Sequence, residues 1–276
     1  MPRANSLVYA SVSFVWVVIG LRTRSISTCQ ALSNLSRSTT AVTAAAATAQ
    51  SLRDQNMVKD QLGYLPRNYL AVSARNAEGT PIAIKTYPLQ QNPESIAASS
   101  ENEPVVLDIN DRATWGTPFP THYWLTCPDI SRAIGDLERF GYTKLIADYL
   151  NSEHVEAEKR NQLLLCHQRC GKERWDTLLP SHRAFFEQYE SKDSTIGRMT
   201  YFIRESGIAG LNYQDKLDID GTMKEVGIKC LHTHYAHFCS TSPNRRDEGD
   251  ARFEENPVGR ITHDLLRKYF PSSLIL

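Results

Sequence analysis

The segment Lys229-Cys-Leu-His-Thr-His-Tyr-Ala-His-Phe-Cys239 concentrates the chain's metal-binding and proton-transfer chemistry, with three histidines and two cysteines in eleven residues. Thiolate and imidazole ligands suit zinc or another borderline-soft ion. On a helix advancing about 100° per residue, Cys230, His234 and His237 share one face. His232 and Cys239 then fall on the back. A metal site drawn from this helix alone is therefore Cys230, His234 and His237, with Cys127 as the natural fourth ligand. The plainer alternative is that these residues pack in the core, each with an ordinary hydrogen bond.

Thr126-Cys127-Pro128-Asp129 is a second locus. A cysteine just before a helix N-terminus has its thiolate stabilised by the dipole and by free N–H groups. With a histidine partner it would be a nucleophile. The alternative is a small buried residue ending a strand. Cys166 and Cys170 share a helical face, but their neighbours Gln162, Arg169, Lys172 and Glu173 read as a solvated surface. Arg67, Lys85 and Lys229 would suit a phosphate or carboxylate, although surface solubility is the commoner use of such groups.

These residues need elements to position them. Leu70–Arg75 and Pro81–Thr86 alternate around the turn Asn76-Ala-Glu-Gly79, which predicts a β-hairpin. Phe119–Thr126 is aromatic and β-branched, a strand ending at Cys127. Asp129 then caps a helix with Ile130, Ala133, Ile134, Leu137 and Phe140 at helical spacing, closed by Gly141. Further helices are expected over Leu145–Leu150, Val155–Cys170 (closed by Gly171), His182–Tyr189, Met223–Phe238 and Val258–Tyr269, with loops across 197–221. Residues 90–114 read as a surface insertion. A few strands followed by mostly helices argue for an α+β fold: a small N-terminal antiparallel β element and a mostly helical body, in one domain over 54–276. No GxGxxG, GxxxxGK[ST], GxSxG or HExxH occurs, so the common nucleotide, hydrolase and zincin templates find no support.

Composition bounds the partners. The 276 residues carry 31 basic and 31 acidic side chains, so a general basic surface for nucleic acid is not indicated. Six cysteines are too few for a disulfide scaffold. The charge is uneven: residues 1–53 hold five arginines and no acid. Residues 7–21 are uncharged and apolar, shorter than a membrane span and suited to a signal-peptide core. Residues 38–51 are nearly all Ser, Thr and Ala. A signal-like core followed by a transit-like, Arg-bearing, acid-free stretch predicts a bipartite presequence for a plastid. Secretion, with Asn34-Leu35-Ser36 as a glycosylation acceptor, mitochondrial import and a retained signal anchor are the rivals. The mature domain is not expected to span a membrane.

The body of the chain resembles the bacterial domain of unknown function 501 family from about Gln61 to Leu266. The resemblance rests on Gln61-Leu-Gly…Pro66-Arg67, Lys85-Thr86…Pro88, Gly116-Thr-Pro-Phe-Pro-Thr…Leu125-Thr-Cys-Pro128, Leu137-Glu138…Gly141, Gly207-Ile-Ala-Gly210, Gly227-Ile-Lys-Cys-Leu-His232…Tyr235-Ala-His237 and Asn256-Pro-Val-Gly259. The presequence, the insertion at 90–114 and a long stretch at 166–200 depart from the family pattern. The resemblance points to Arg67, Lys85, Cys127, Lys229, Cys230, His232, His237, Asn256 and Gly259, and favours His232 over His234. Bacterial relatives tend to be encoded beside an exopolyphosphatase-like phosphatase, which associates them with phosphorylated small molecules.

Together these readings predict an enzyme with a Cys/His/Lys pocket acting on an anionic small molecule, with or without zinc. Cys127, His232 and Lys229 are its expected catalytic groups and Arg67, Lys85 and Asn256 its anion-binding groups. Cys230, His237 and His234 are its expected metal ligands. The rival is a binding or assembly module whose Cys/His cluster is core packing or a structural zinc site.

Overall fold

The computed structural model describes residues 47–90, 108–111, 116–241 and 255–274. The apolar run at 7–21, the low-complexity stretch up to residue 46 and most of the expected insertion at 90–114 lie outside them. The chain divides into two units, Met1–Ala49 and Gln50–Leu276. The second holds every site discussed below.

A helix over residues 47–62 (α1) leads into the predicted hairpin. Strands β1 (Tyr69–Arg75) and β2 (Pro81–Thr86) pair antiparallel. Their turn is closed by Asn76, whose Oδ1 accepts the Thr80 N–H at 2.7 Å, while Gly79 takes the left-handed φ of 85° that a side chain disfavours. Asp54 of α1 holds Arg75 of β1 at 2.6 Å, and Gln61 donates to the Pro81 carbonyl at 2.9 Å. Leu89–Gln90 (β3) and Thr117–Pro118 (β4) form a separate two-residue ladder. Tyr123–Leu125 (β5) completes the order β1-β2-β5. The expected strand at 119–126 is therefore shorter than its aromatic run.

The helices follow: α2 (Pro128–Arg139), α3 (Tyr142–Asn151), α4 (Ala157–Thr177), α5 (Pro180–Tyr189), α6 (Ser194–Arg204), α7 (Leu231–Thr241) and α8 (Pro257–Tyr269). The α2 helix starts on Pro128, whose fixed φ suits a first helical position, and buries Ile130, Ala133, Ile134 and Leu137. Gly141, at φ 82°, ends α2 and opens α3. This is the α+β arrangement that the order of strands and helices predicts. No helix among the described residues is long and apolar enough to cross a membrane.

Three expectations about elements need correction. Residues 194–204 form α6 instead of a loop, because Asp193 caps it by accepting the N–H groups of Thr195 and Ile196. Gly171 does not end a helix but sits inside α4, where a Cβ would lie 2.4 Å from the Arg204 carbonyl oxygen; the glycine lets α4 approach the end of α6. The last correction bears on chemistry: helix α7 begins at Leu231, eight residues later than expected.

The main core joins Ala83, Tyr123 and Leu125 of the sheet to Ile134 and Leu137 of α2, Leu231 and Tyr235 of α7, and Val258 and Leu266 of α8. A second cluster joins Leu89, Leu178, Phe185, Phe186, Ile196 and Ile203. Cys166 and Cys170 are buried against Ile208, not on the solvated face their neighbours suggested.

Candidate functional site

Cys230 is the residue immediately before α7, and its carbonyl accepts the first helical N–H, from His234. The helix start is held from a distance. Glu138, on α2, accepts the Leu231 N–H through Oε1 at 2.6 Å, so its carboxylate lies at the positive end of α7. Its other oxygen, Oε2, lies 3.3 Å from His232 Nδ1. The same Nδ1 is 3.9 Å from Cys230 Sγ. On the opposite edge of the ring, His232 Nε2 lies 2.9 Å from the Ser131 carbonyl oxygen, an acceptor that requires the proton on Nε2.

Charge follows from this geometry. Burial opposes protonation of His232, but its hydrogen bond with Cys230 and the Glu138 carboxylate outweigh it and raise the imidazole to about 9. Burial also opposes the Cys230 thiolate. Hydrogen bonds from His232 and from the backbone and side chain of Thr233 overcome that and bring the thiol below its ordinary value. The pair is thus biased toward thiolate and imidazolium. Both side chains are only partly buried. With Ser131 and Thr233 they line a cleft of about 260 Å³, whose remaining lining includes Phe119, Trp124 and Leu125. Trp124 is packed edge-on by Tyr64 at 6.4 Å and at a tilt by Phe119 at 5.6 Å.

The residues singled out in the sequence do not all meet here. Because α7 starts at Leu231, Cys230 precedes the helix and the helical-face argument does not describe it. It meets His232 instead of His234 and His237. Those two are buried deeper. His234 packs edge-on to His167 at 5.8 Å, and His237 packs edge-on to Tyr123 at 5.7 Å. Asn256, expected at an anion, caps α8 by accepting the Val258 and Gly259 N–H groups. Its amide lies 3.3 Å from His234 Nδ1 and 3.4 Å from His237 Nδ1. Cys127 lines a different cleft of about 270 Å³, with Gln61, Asn76 and Thr80. Lys229 turns away from the thiol next to it and donates to the Gly210 carbonyl at 2.6 Å. Arg67 is exposed and Lys85 half-buried on β2; neither lines the Cys230 cleft.

Sequence reasoning missed Glu138 as a functional candidate. Its signal was its place beside Leu137 in one of the shared blocks. It also missed a buried polar interior. Arg174 is fully buried and donates to the carbonyls of Ile203, Pro120, Gly207 and Ser206. Nearby, His167 Nδ1 accepts the Ile208 N–H at 3.1 Å. Neither ring nitrogen of His122 has a hydrogen-bond partner among the described residues.

Comparison with known proteins identifies this arrangement only at the level of a family. The family described as "Protein of unknown function (DUF501)" matches residues 72–264, more than half of the chain. The chain belongs to this family. The matched span contains Glu138, Cys230 and His232, so the whole site lies inside the DUF501 region. No curated protein and no solved structure matches the chain.

Proposed function

We propose that this DUF501 protein is a thiol-dependent enzyme in which Cys230 is the nucleophile and His232 its proton carrier. The observation that carries the reading is the placement of Cys230 Sγ. It stands at the open N-terminus of α7, facing a cleft, with His232 Nδ1 at 3.9 Å and that imidazole oriented by Glu138 and Ser131. A nucleophile, a base and a group that orients the base are the three parts covalent catalysis needs.

For an acyl substrate, Sγ would attack the carbonyl carbon and form the C–S bond as the carbonyl π pair moves to oxygen. Collapse would break the bond to the leaving group, which takes the Nδ1 proton. Water would then add to the thioester, give a proton to Nδ1 and release the Cys230 thiolate. Atoms and electrons balance without a further reagent. The lining of Phe119, Trp124 and Leu125 favours a substrate with a flat apolar group beside its carbonyl. An anionic substrate gains no support from this lining, since Arg67, Lys85 and Asn256 are not part of it.

The test is mass-mapped chemistry on the full-length protein. Iodoacetamide should label Cys230 ahead of Cys127, Cys166, Cys170 and Cys239, all of which are buried. An activated aryl ester of an aromatic acid should leave its acyl mass on Cys230. His232→Gln should slow both reactions roughly tenfold or more while the fold is retained. Labelling of Cys230 no faster than that of a free cysteine, and unchanged in His232→Gln, would sink the reading.

A further inference from the structure

A carboxylate oxygen of Glu138, Cys230 Sγ and a ring nitrogen of His232 all lie within 4.8 Å of one another. Two of these groups are anions when ionised, and both face the same ring nitrogen. An imidazole nitrogen flanked by a thiolate and a carboxylate can hold a proton between them, or it can offer its lone pair to a cation.

The distances favour the second use as well as the first. Around a tetrahedral zinc, bond lengths of about 2.3 Å to sulfur and 2.0–2.2 Å to nitrogen and oxygen put nitrogen and oxygen ligands roughly 3.4 Å apart, and sulfur and nitrogen roughly 3.6 Å apart. Here Nδ1 and Oε2 are 3.3 Å apart, and Sγ and Nδ1 are 3.9 Å apart. Closing these two pairs on an ion asks for movements of a few tenths of an ångström, and the third pair, Sγ and the carboxylate, lies within 4.8 Å. The ring is also set for the task. Its Nε2–H is directed at the Ser131 carbonyl, the outer contact by which metal-binding histidines fix their tautomer. The donors stand on two packed elements, Glu138 on α2 and the other two at the start of α7. Three protein ligands and a cleft beside them make the pattern of an open zinc position, not a closed structural one.

We propose that Glu138, Cys230 and His232 form a three-ligand site for a divalent borderline-soft cation, zinc foremost, whose fourth position faces the cleft. The cation takes the Sγ, Nδ1 and Oε2 lone pairs, and the proton that Sγ and Nδ1 share leaves to water. Cys230 is then no longer a nucleophile. This silencing rests on the thiol reading above, whereas the site itself does not.

Cobalt(II), then zinc, titrated into metal-free full-length protein tests this. The expected result is one cobalt per chain with a thiolate-to-cobalt absorption band, bleached by zinc. The band should vanish in Cys230→Ser. Binding should weaken at least about tenfold in Glu138→Gln. The glutamine oxygen can still accept the Leu231 N–H, so that variant keeps the helix start if Cys230→Ser does not fold. Zinc should also suppress iodoacetamide labelling of Cys230. No thiolate band, or a band that survives Cys230→Ser, overturns the site. Fast, His232-dependent labelling without a band overturns the metal site and leaves the thiol reading standing. A Cys230-dependent band with slow labelling of the metal-free protein does the reverse.

Discussion

In the cleft, His232 faces a thiol and a carboxylate; in the interior, His122 and His167 face Arg174 and other imidazoles. His122 and His167 are buried and His232 partly so, and burial alone disfavours the charged form of each. Anionic neighbours reverse the outcome for His232, which rises to about 9. For His122, burial together with the charges of Lys85 and Arg174 lowers it to about 2. His167 falls well below its ordinary value for the same reasons, burial first, with His234, His237 and Arg174 adding to it. One residue type thus serves as a charged partner at one place and as a neutral packing group at the other. The charges around each ring decide which: Cys230 and Glu138 at His232, Lys85 and Arg174 at His122.

The largest effect should come from acid. His122 and His167 titrate lower in the fold than in the unfolded chain, which takes up protons below the ordinary value of 6.5. The unfolded state therefore binds more protons, and stability falls as pH drops through that value. Each group contributes about 1.4 kcal/mol per pH unit. Between pH 6.5 and 4.5 His122 alone accounts for a loss of about 2 kcal/mol, and His167 adds to it in the same direction, a sizeable share of the stability of a small domain. Urea unfolding followed across that range should show a steep fall in midpoint, fully recovered above pH 7. A midpoint that stays level from pH 7 to pH 5 would mean that the interior histidines are not held neutral, and the contrast with His232 would disappear.

Arg174 offers the next test. Its guanidinium satisfies carbonyls from Pro120, Ile203, Ser206 and Gly207, so one side chain ties β5's approach to the end of α6 and the turn after it. Arg174→Met keeps much of the apolar stem but leaves those carbonyls unpaired. A cost of about 3–5 kcal/mol is expected, measured by urea unfolding at pH 7. The protein that remains folded should label at Cys230 at the wild-type rate. A large change in that rate would show that the two regions are one electrostatic unit.

What was legible in the sequence divides along the same line. The hairpin could be read from the alternation of Leu70–Arg75 and Pro81–Thr86 and from Asn76 and Gly79, because its information is local. The apolar stripe of α2 was equally plain. The start of α7 was not, since it is fixed by Glu138, 93 residues away in sequence. Nothing in Lys229–Cys239 announces that contact. A helical wheel drawn through Cys230 pairs the thiol with His234 and His237 instead of His232. Arg174 and Cys170 hid for a related reason. Their helix carries charge on many sides, and the carbonyls that accept from Arg174 belong to backbone distant in sequence, at Pro120 and at Ile203, Ser206 and Gly207. Gly197 reads locally as a loop residue, whereas Asp193, which accepts the Thr195 and Ile196 N–H groups, starts α6 before it.

Lys229 gives the smallest expected effect and the sharpest contrast between sequence and structure. Next to Cys230 in the chain, it is the residue that adjacency would make catalytic. In the fold its Nζ donates to the Gly210 carbonyl at 2.6 Å, while Cys230 turns toward His232. The lysine is exposed overall, so losing that bond in Lys229→Met should cost no more than about 1 kcal/mol. Iodoacetamide labelling of Cys230 should change by less than about threefold, since the thiolate is set by His232 and Thr233. A tenfold fall with stability preserved would instead make the lysine charge part of what holds the thiolate. The cleft would then be a three-residue device of lysine, cysteine and histidine, and its distinction from the interior would rest on added positive charge as much as on Glu138.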